Sequence, residues 1–128
     1  MTAYPSLEEV LVAHRRAILR FGGTLGVRDL GALQSALARP RTGYYVDIIQ
    51  EAAALLESLS QNHPFLDGNK RTVIGVTGAF LRTNGYRLKC DNLKAYQFLM
   101  GLYETNMFHF DALERWLRAH ARPVSDQE

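Results

Sequence analysis

Two strongly apolar stretches of helical length, near residues 48–59 and 73–81, are separated by one short polar segment, His63-Pro-Phe-Leu-Asp-Gly-Asn-Lys-Arg71. This arrangement limits the fold more than anything else in the chain. Ile48, Ile49, Ala52, Ala53, Leu55, Leu56 and Leu59 leave almost no polar face, so a helix there must be buried on most sides. Val73, Ile74, Val76, Ala79, Phe80 and Leu81 make the same demand on a second helix. A loop that only connects two buried helices has no reason to gather His, Asp, Asn, Lys and Arg within nine residues.

The rest of the chain supplies further helices around this pair. Ser6 with Glu9 fits a capping box, and Leu7, Val10, Leu11, His14, Ile18 and Leu19 follow helical spacing up to Phe21-Gly-Gly23. Asp29 caps a short helix over residues 30–38, which Pro40 stops. Residues 39–46, with Pro40, Gly43, Tyr44 and Tyr45, read as a loop or small hairpin and as the one place for strand. Asp47 starts the third helix, which ends near Gln61-Asn62, and the fourth spans residues 69–83 up to Asn84-Gly85. A short extended piece over residues 86–90 precedes a fifth helix capped by Asp91 or Asn92, which runs to about Thr105. A last amphipathic helix covers residues 110–121, with Leu113, Trp116 and Leu117 inward. The expected fold is all-α: one domain over residues 1–122, a bundle of about six helices, and a disordered tail over residues 123–128.

Charge and cysteine content exclude several classes. Fifteen Lys and Arg against thirteen Asp and Glu leave +2, too little to favour direct nucleic-acid binding or an anionic membrane. The single cysteine, Cys90, forms no intrachain disulfide, and it reads as a small half-buried hydrophobe. There is neither a secretion signal nor an apolar run of bilayer length, so a cytoplasmic protein is expected. No His/Cys spacing suggests zinc. His14 and His109 read as core or boundary histidines, and His120 suits the negative end of the last helix. Arg28 and Asp29 read as structural.

The chemistry concentrates at residues 63–71. Gly68-Asn69-Lys70 opens a helix, where free amides and the helix dipole favour an anion. Gly68 admits a phosphate close to the backbone. Lys70 and Arg71 are fixed cationic donors for phosphoryl oxygens. Asp67 offers one hard oxygen, and one carboxylate plus substrate phosphates is a usual way to hold Mg²⁺. His63 accepts a proton near neutral pH. Pro64 stiffens the loop and Phe65 anchors it in the core. Each residue alone has an ordinary structural reading: a satisfied histidine, a helix cap, a solvated helix start. Together they are the parts needed to transfer phosphate from a nucleotide to a hydroxyl.

This nine-residue segment resembles the signature of the Fic/Doc family, His-Pro-Phe-x-Asp/Glu-Gly-Asn-Gly-Arg-x-x-Arg. Lys70 stands where the wider Fic pattern has its second glycine, and Ile74 where it has its second arginine. Both departures are those of the Doc branch, the death-on-curing toxins. Gly26-Val-Arg-Asp-Leu-Gly31, Leu33, Ser35-Ala36-Leu37 and Arg39-Pro40 resemble the upstream block of that branch, and Phe80-Leu81 with Asn84-Gly85 the downstream one. The likeness covers roughly residues 4–121.

The resemblance implies roles residue by residue. His63 matches the catalytic base and Asp67 the magnesium-linked acid. Gly68 and Asn69 match the anion-binding turn, Lys70 and Arg71 the phosphate-binding residues, and Phe65 the anchor. Residues 39–46 match the flap that docks the target peptide, with Arg39, Tyr44 and Tyr45 as contacts. The resemblance further implies ATP and Mg²⁺, and an antitoxin of the Phd kind whose C-terminal segment folds against the toxin. Fic enzymes transfer AMP, whereas the Doc branch is linked to transfer of the ATP γ-phosphate to a threonine of elongation factor Tu, which stops translation. Lys70 fills space that glycine leaves open and Ile74 holds no charge, so ATP is expected to present its γ-phosphate to His63. The alternatives are an AMP transferase and a non-enzymatic antitoxin-binding module. No glutamate is followed by Gly or Asn, so the Ser/Thr-x-x-x-Glu-Gly/Asn inhibitory segment of many Fic proteins is absent, and inhibition is expected from a separate protein.

Overall fold

The computed structural model describes residues 2–124. Its elements, in chain order, are α1 (Leu7–Phe21), α2 (Leu30–Ala38), a 3-10 turn (Arg39–Thr42), α3 (Ile48–Asn62), α4 (Asn69–Thr83), β1 (Tyr86–Leu88), α5 (Asn92–Glu104), α6 (Phe110–His120) and β2 (Ala121–Pro123).

The expected all-α bundle of six helices forms, with α3 as its axis. Packed on α3 are α2, α4 and α6, and α1 lies on α4. Residues 52–60 of α3 are all buried, as the apolar pattern demands. Each of Leu55, Leu56 and Leu59 contributes about 1.5–3 kcal/mol by leaving water. Ser58 is absorbed because its hydroxyl donates to the carbonyl of Ala36, 3.0 Å away. Glu57 is absorbed differently. One carboxylate oxygen meets the Arg39 guanidinium at 2.6 Å, and the other accepts the Phe110 N–H at 2.7 Å. A carboxylate of α3 thus caps α6, whose own N-cap residue, His109, makes no side-chain cap.

The caps read from the sequence form. Ser6 and Glu9 close a reciprocal capping box, and Asp29, Asp47 and Asp91 accept the N–H of Ala32, Gln50 and Leu93. Gly85, at φ +87°, turns the chain after α4.

Three local expectations are corrected. Residues 39–46 hold no strand. Pro40 cannot donate, so α2 tightens into the 3-10 turn and stops at Gly43, at φ +82°. The strand lies elsewhere, where β1 pairs antiparallel with β2 in the register Tyr86↔Pro123, Arg87↔Arg122, Leu88↔Ala121. This pairing orders Pro123, and the Val124 N–H bonds to the Gly85 carbonyl at 2.8 Å. The ordered chain therefore passes the expected boundary at 122, and residues 125–128 lie outside the described ones. Finally, His109 is exposed at the start of α6 rather than packed between its phenylalanine neighbours. Cys90, by contrast, is the half-buried hydrophobe expected. Among the described residues, no helix is long and apolar enough to cross a membrane.

Candidate active site

The polar segment turns the chain from α3 into α4, and it is held from two sides. His63 leaves α3 in the left-handed conformation, φ 44° and ψ 57°, which a non-glycine residue adopts only when its surroundings enforce it. Arg28 supplies the enforcement. Its guanidinium donates to the His63 carbonyl through Nε at 2.8 Å and to the Asn62 carbonyl at 3.0 Å. The backbone of residues 26–29 runs alongside. Arg28 and Asp29 N–H groups donate to the Pro64 carbonyl at 2.7 and 3.1 Å, and the Leu66 N–H donates to Gly26 at 3.0 Å. Val27 bridges Phe65.

From the α4 side, the Asn69 amide closes both backbone groups of Phe65. Its Oδ1 accepts the Phe65 N–H and its Nδ2 donates to the Phe65 carbonyl, each at 3.0 Å. Phe65 itself is 1% exposed and stacks on the buried His14 ring, centroids 4.0 Å apart. His14 accepts the Gly26 N–H at Nε2, 3.3 Å, which places its ring proton on Nδ1, 3.1 Å from the Thr72 hydroxyl. Burial pushes the His14 pKa down, against the pull of the Asp67 charge.

This scaffold presents three groups outward. The His63 ring is exposed, with Nε2 2.8 Å from the Tyr103 hydroxyl. The exposed Asp67 carboxylate accepts the N–H groups of Thr24 at 3.2 Å and Gly68 at 3.0 Å. The N-terminus of α4 has no side-chain cap on Gly68, and Thr72 is the first residue whose N–H reaches back to the Gly68 carbonyl. The amides of Asn69, Lys70 and Arg71 therefore face out of the helix end, where its dipole attracts an anion. Lys70 stands at this end with Nζ 4.5 Å above the Tyr103 ring. His63, Lys70 and Tyr103 are one contact group.

Other site residues make contacts that the sequence did not show. Gly68 has φ +70°, a conformation that strains other residues, and a Cβ there would stand 2.8 Å from Ile18 Cδ1 on α1. Asn69 spends its amide on Phe65. Arg71 lies between two rings, 4.0 Å from Phe21 and 3.6 Å from Tyr96, on the wall of a groove of about 740 Å³ that Arg20, Arg82 and Arg87 also line. In the flap segment, Arg39 is held by Glu57 and by the Tyr45 hydroxyl at 2.8 Å, so both are engaged internally. Tyr44 is 82% exposed, its ring set edge-on to Tyr45 with centroids 5.2 Å apart. Three contributors were not read as site residues in the sequence: Tyr103, the clamp Arg28, and His14 behind the loop. Tyr103 lies forty residues from His63, and no local pattern marks it.

Comparison with known proteins agrees with the motif. Residues 4–81 match the Fic/DOC family. The chain is 47% identical over 96 residues to Toxin Doc of Mycolicibacterium smegmatis, covering 71% of this chain and 72% of that protein. It is 33% identical over 87 residues to Protein kinase doc of Escherichia phage P1, covering 65% and 69%. On a family match spanning the greater part of its length and two relatives of one name, this chain belongs to the Fic/Doc family, on its Doc branch.

Proposed function

We propose that this chain is a Doc-type toxin and a protein kinase, which moves the γ-phosphate of ATP to a Ser or Thr hydroxyl of elongation factor Tu and so blocks translation. The observation that supports this best is the His63–Tyr103–Lys70 group at the uncapped N-terminus of α4. A proton acceptor, a cation and free amides converge there, which is the set needed to activate a hydroxyl and receive a phosphoryl group.

In this reading His63 takes the proton of the target hydroxyl. The α4 amides and Lys70 hold the phosphoryl oxygens as charge builds on them. Arg28 and Asn69 fix the loop, so no reorganisation is needed at that moment. Among the described residues no three His, Cys, Asp or Glu side chains gather as a metal cage. The lone, exposed Asp67 fits Mg²⁺ held largely by nucleotide phosphates, a group that would neutralise phosphate charge when bound. Arg71 is the least direct of the proposed phosphate ligands, since its guanidinium is already stacked.

Transfer of AMP is the less favoured chemistry. Ile74 packs against the core and offers no charge for the far end of a nucleotide in the Fic orientation. Lys70 occupies the adjoining position at the helix start. The name of one relative, Toxin Doc, supports an antitoxin as regulator; its being of the Phd kind and docking by a C-terminal segment is what the motif's resemblance implies. Tyr44 is the flap residue best placed for target contact.

Intact-mass analysis of elongation factor Tu, incubated with this chain, ATP and Mg²⁺, tests the reading. One phosphate added by the native chain and not by His63→Ala is expected. An added AMP would assign the wider Fic chemistry. Toxicity that survives His63→Ala would instead favour a binding module.

A further inference from the structure

We propose that Tyr103 is an internal acceptor: without a target, the chain phosphorylates its own Tyr103 hydroxyl and stops itself. The proposal rests on the kinase reading above.

The Tyr103 hydroxyl stands 2.8 Å from His63 Nε2. A target hydroxyl must make this same hydrogen bond before it surrenders its proton. Tyr103 therefore holds the acceptor's place. It is held firmly: its ring packs on Phe108, centroids 5.5 Å apart, and meets the His63 ring edge-on at 6.2 Å. Lys70 Nζ sits 4.5 Å over its face. A hydroxyl fixed against a base, beside a phosphate-binding cation and an open helix N-terminus, has the surroundings of a substrate. A phenol also yields its proton more readily than the aliphatic hydroxyl of Ser or Thr.

The step balances without a further reactant. The Tyr103 Oη–Pγ bond forms as the bond from Pγ to the bridging β-phosphate oxygen breaks. ADP leaves, and the phenolic proton passes to His63 Nε2. The product places a phosphate of about −1.5 to −2 charge next to Lys70, a stabilising pair. It also leaves a bulky anion against His63, where the next acceptor has to dock, so the modified chain is inactive. A separate target competes with this reaction by displacing the Tyr103 hydroxyl from His63.

The test is to incubate the native chain with ATP and Mg²⁺, alone and beside a parallel reaction containing elongation factor Tu. Intact masses are followed and the peptide carrying Tyr103 is sequenced. One phosphate on Tyr103 is expected, at a rate independent of chain concentration, and missing in Tyr103→Phe and His63→Ala. The marked chain, repurified, is expected to lose at least tenfold in transfer to the target. A phosphorylated target with Tyr103 unmarked would overturn the proposal and leave the kinase reading intact. A mark whose rate rises with chain concentration would also overturn it, since the transfer would then be between molecules. AMP on Tyr103 would overturn the kinase reading and, with it, phosphorylation of Tyr103. With neither protein modified, both readings fall.

Discussion

The imidazole of His14 lies flat against the ring of Phe65, with centroids 4.0 Å apart and planes 13° from parallel. The histidine that does no chemistry thus supports the loop that carries the one proposed to do it. Its two nitrogens tie Gly26, in the segment that runs beside that loop, to Thr72 in the first turn of α4.

Replacing His14 by Phe keeps the stacking and orphans the Thr72 hydroxyl and the Gly26 amide. A loss of about 1–3 kcal/mol in unfolding free energy is expected. The pH dependence should change too. The folded His14 pKa lies below its ordinary value of 6.5, so the unfolded chain binds more protons as pH falls through that value. His14 therefore leaves stability intact above about pH 6.5 and subtracts from it below. Urea midpoints of the native chain should drop between about pH 7.5 and about pH 5.5, and that part of the drop should vanish in His14→Phe. An unchanged pH slope in the variant would contradict this.

His63→Asn is predicted to separate chemistry from folding. Asparagine tolerates the left-handed backbone at this position but cannot act as the base. Phosphate transfer should fall about 10²–10⁴-fold. The thermal midpoint should stay close to native because the side chain is exposed.

Arg28→Lys keeps a positive charge but loses the fork that reaches two carbonyls. The His63 backbone is then free to relax from φ 44°, and a shift near 1 Å can cost up to about 10²-fold in rate. Steady-state kinetics should show a lower kcat with little change in the KM for ATP. A native kcat would remove Arg28 from the positioning of His63.

Gly68→Ala meets both a positive φ and Ile18 Cδ1 at 2.8 Å. Destabilisation of about 1–3 kcal/mol is expected. Ile18→Val removes the clashing methyl, so the double variant should be less destabilised than the sum of the singles. Strict additivity in denaturant titrations would show that the backbone conformation, not the contact, makes Gly68 necessary.

Arg71→Ala should loosen α5, because the guanidinium between Phe21 and Tyr96 joins the end of α1 to that helix. Amide exchange is expected to speed up in α5 and to stay native in α3. Arg71→Lys should restore little, since an ammonium lacks the flat face that stacks on two rings.

Much was legible in the sequence because it is written locally. Helices α1 to α4 follow from apolar spacing, from the caps Ser6, Asp29 and Asp47, and from breakers such as Pro40 and Gly85. Their physics acts over a few residues. The contiguous segment from His63 to Arg71 carried the family resemblance for the same reason, since its residues are neighbours in the chain. Tertiary structure alone decided the rest, because it depends on partners far apart in the chain. The β1–β2 pairing joins residues 86–88, legible only as a short extended piece, to residues 121–123, which nothing local marks as its partner. Glu57 caps α6 from α3, which no spacing rule registers. Gly68 and Asn69 carry structural contacts that no local pattern shows, since only packing brings Ile18 over the glycine and the Asn69 side-chain amide to Phe65. Tyr103 entered the site from α5 because folding brings its hydroxyl to His63. The sequence by itself determined the helices and the reactive loop. The fold decided which neighbours each reactive group meets, because hydrogen bonds and packing are set by distance in space rather than along the chain.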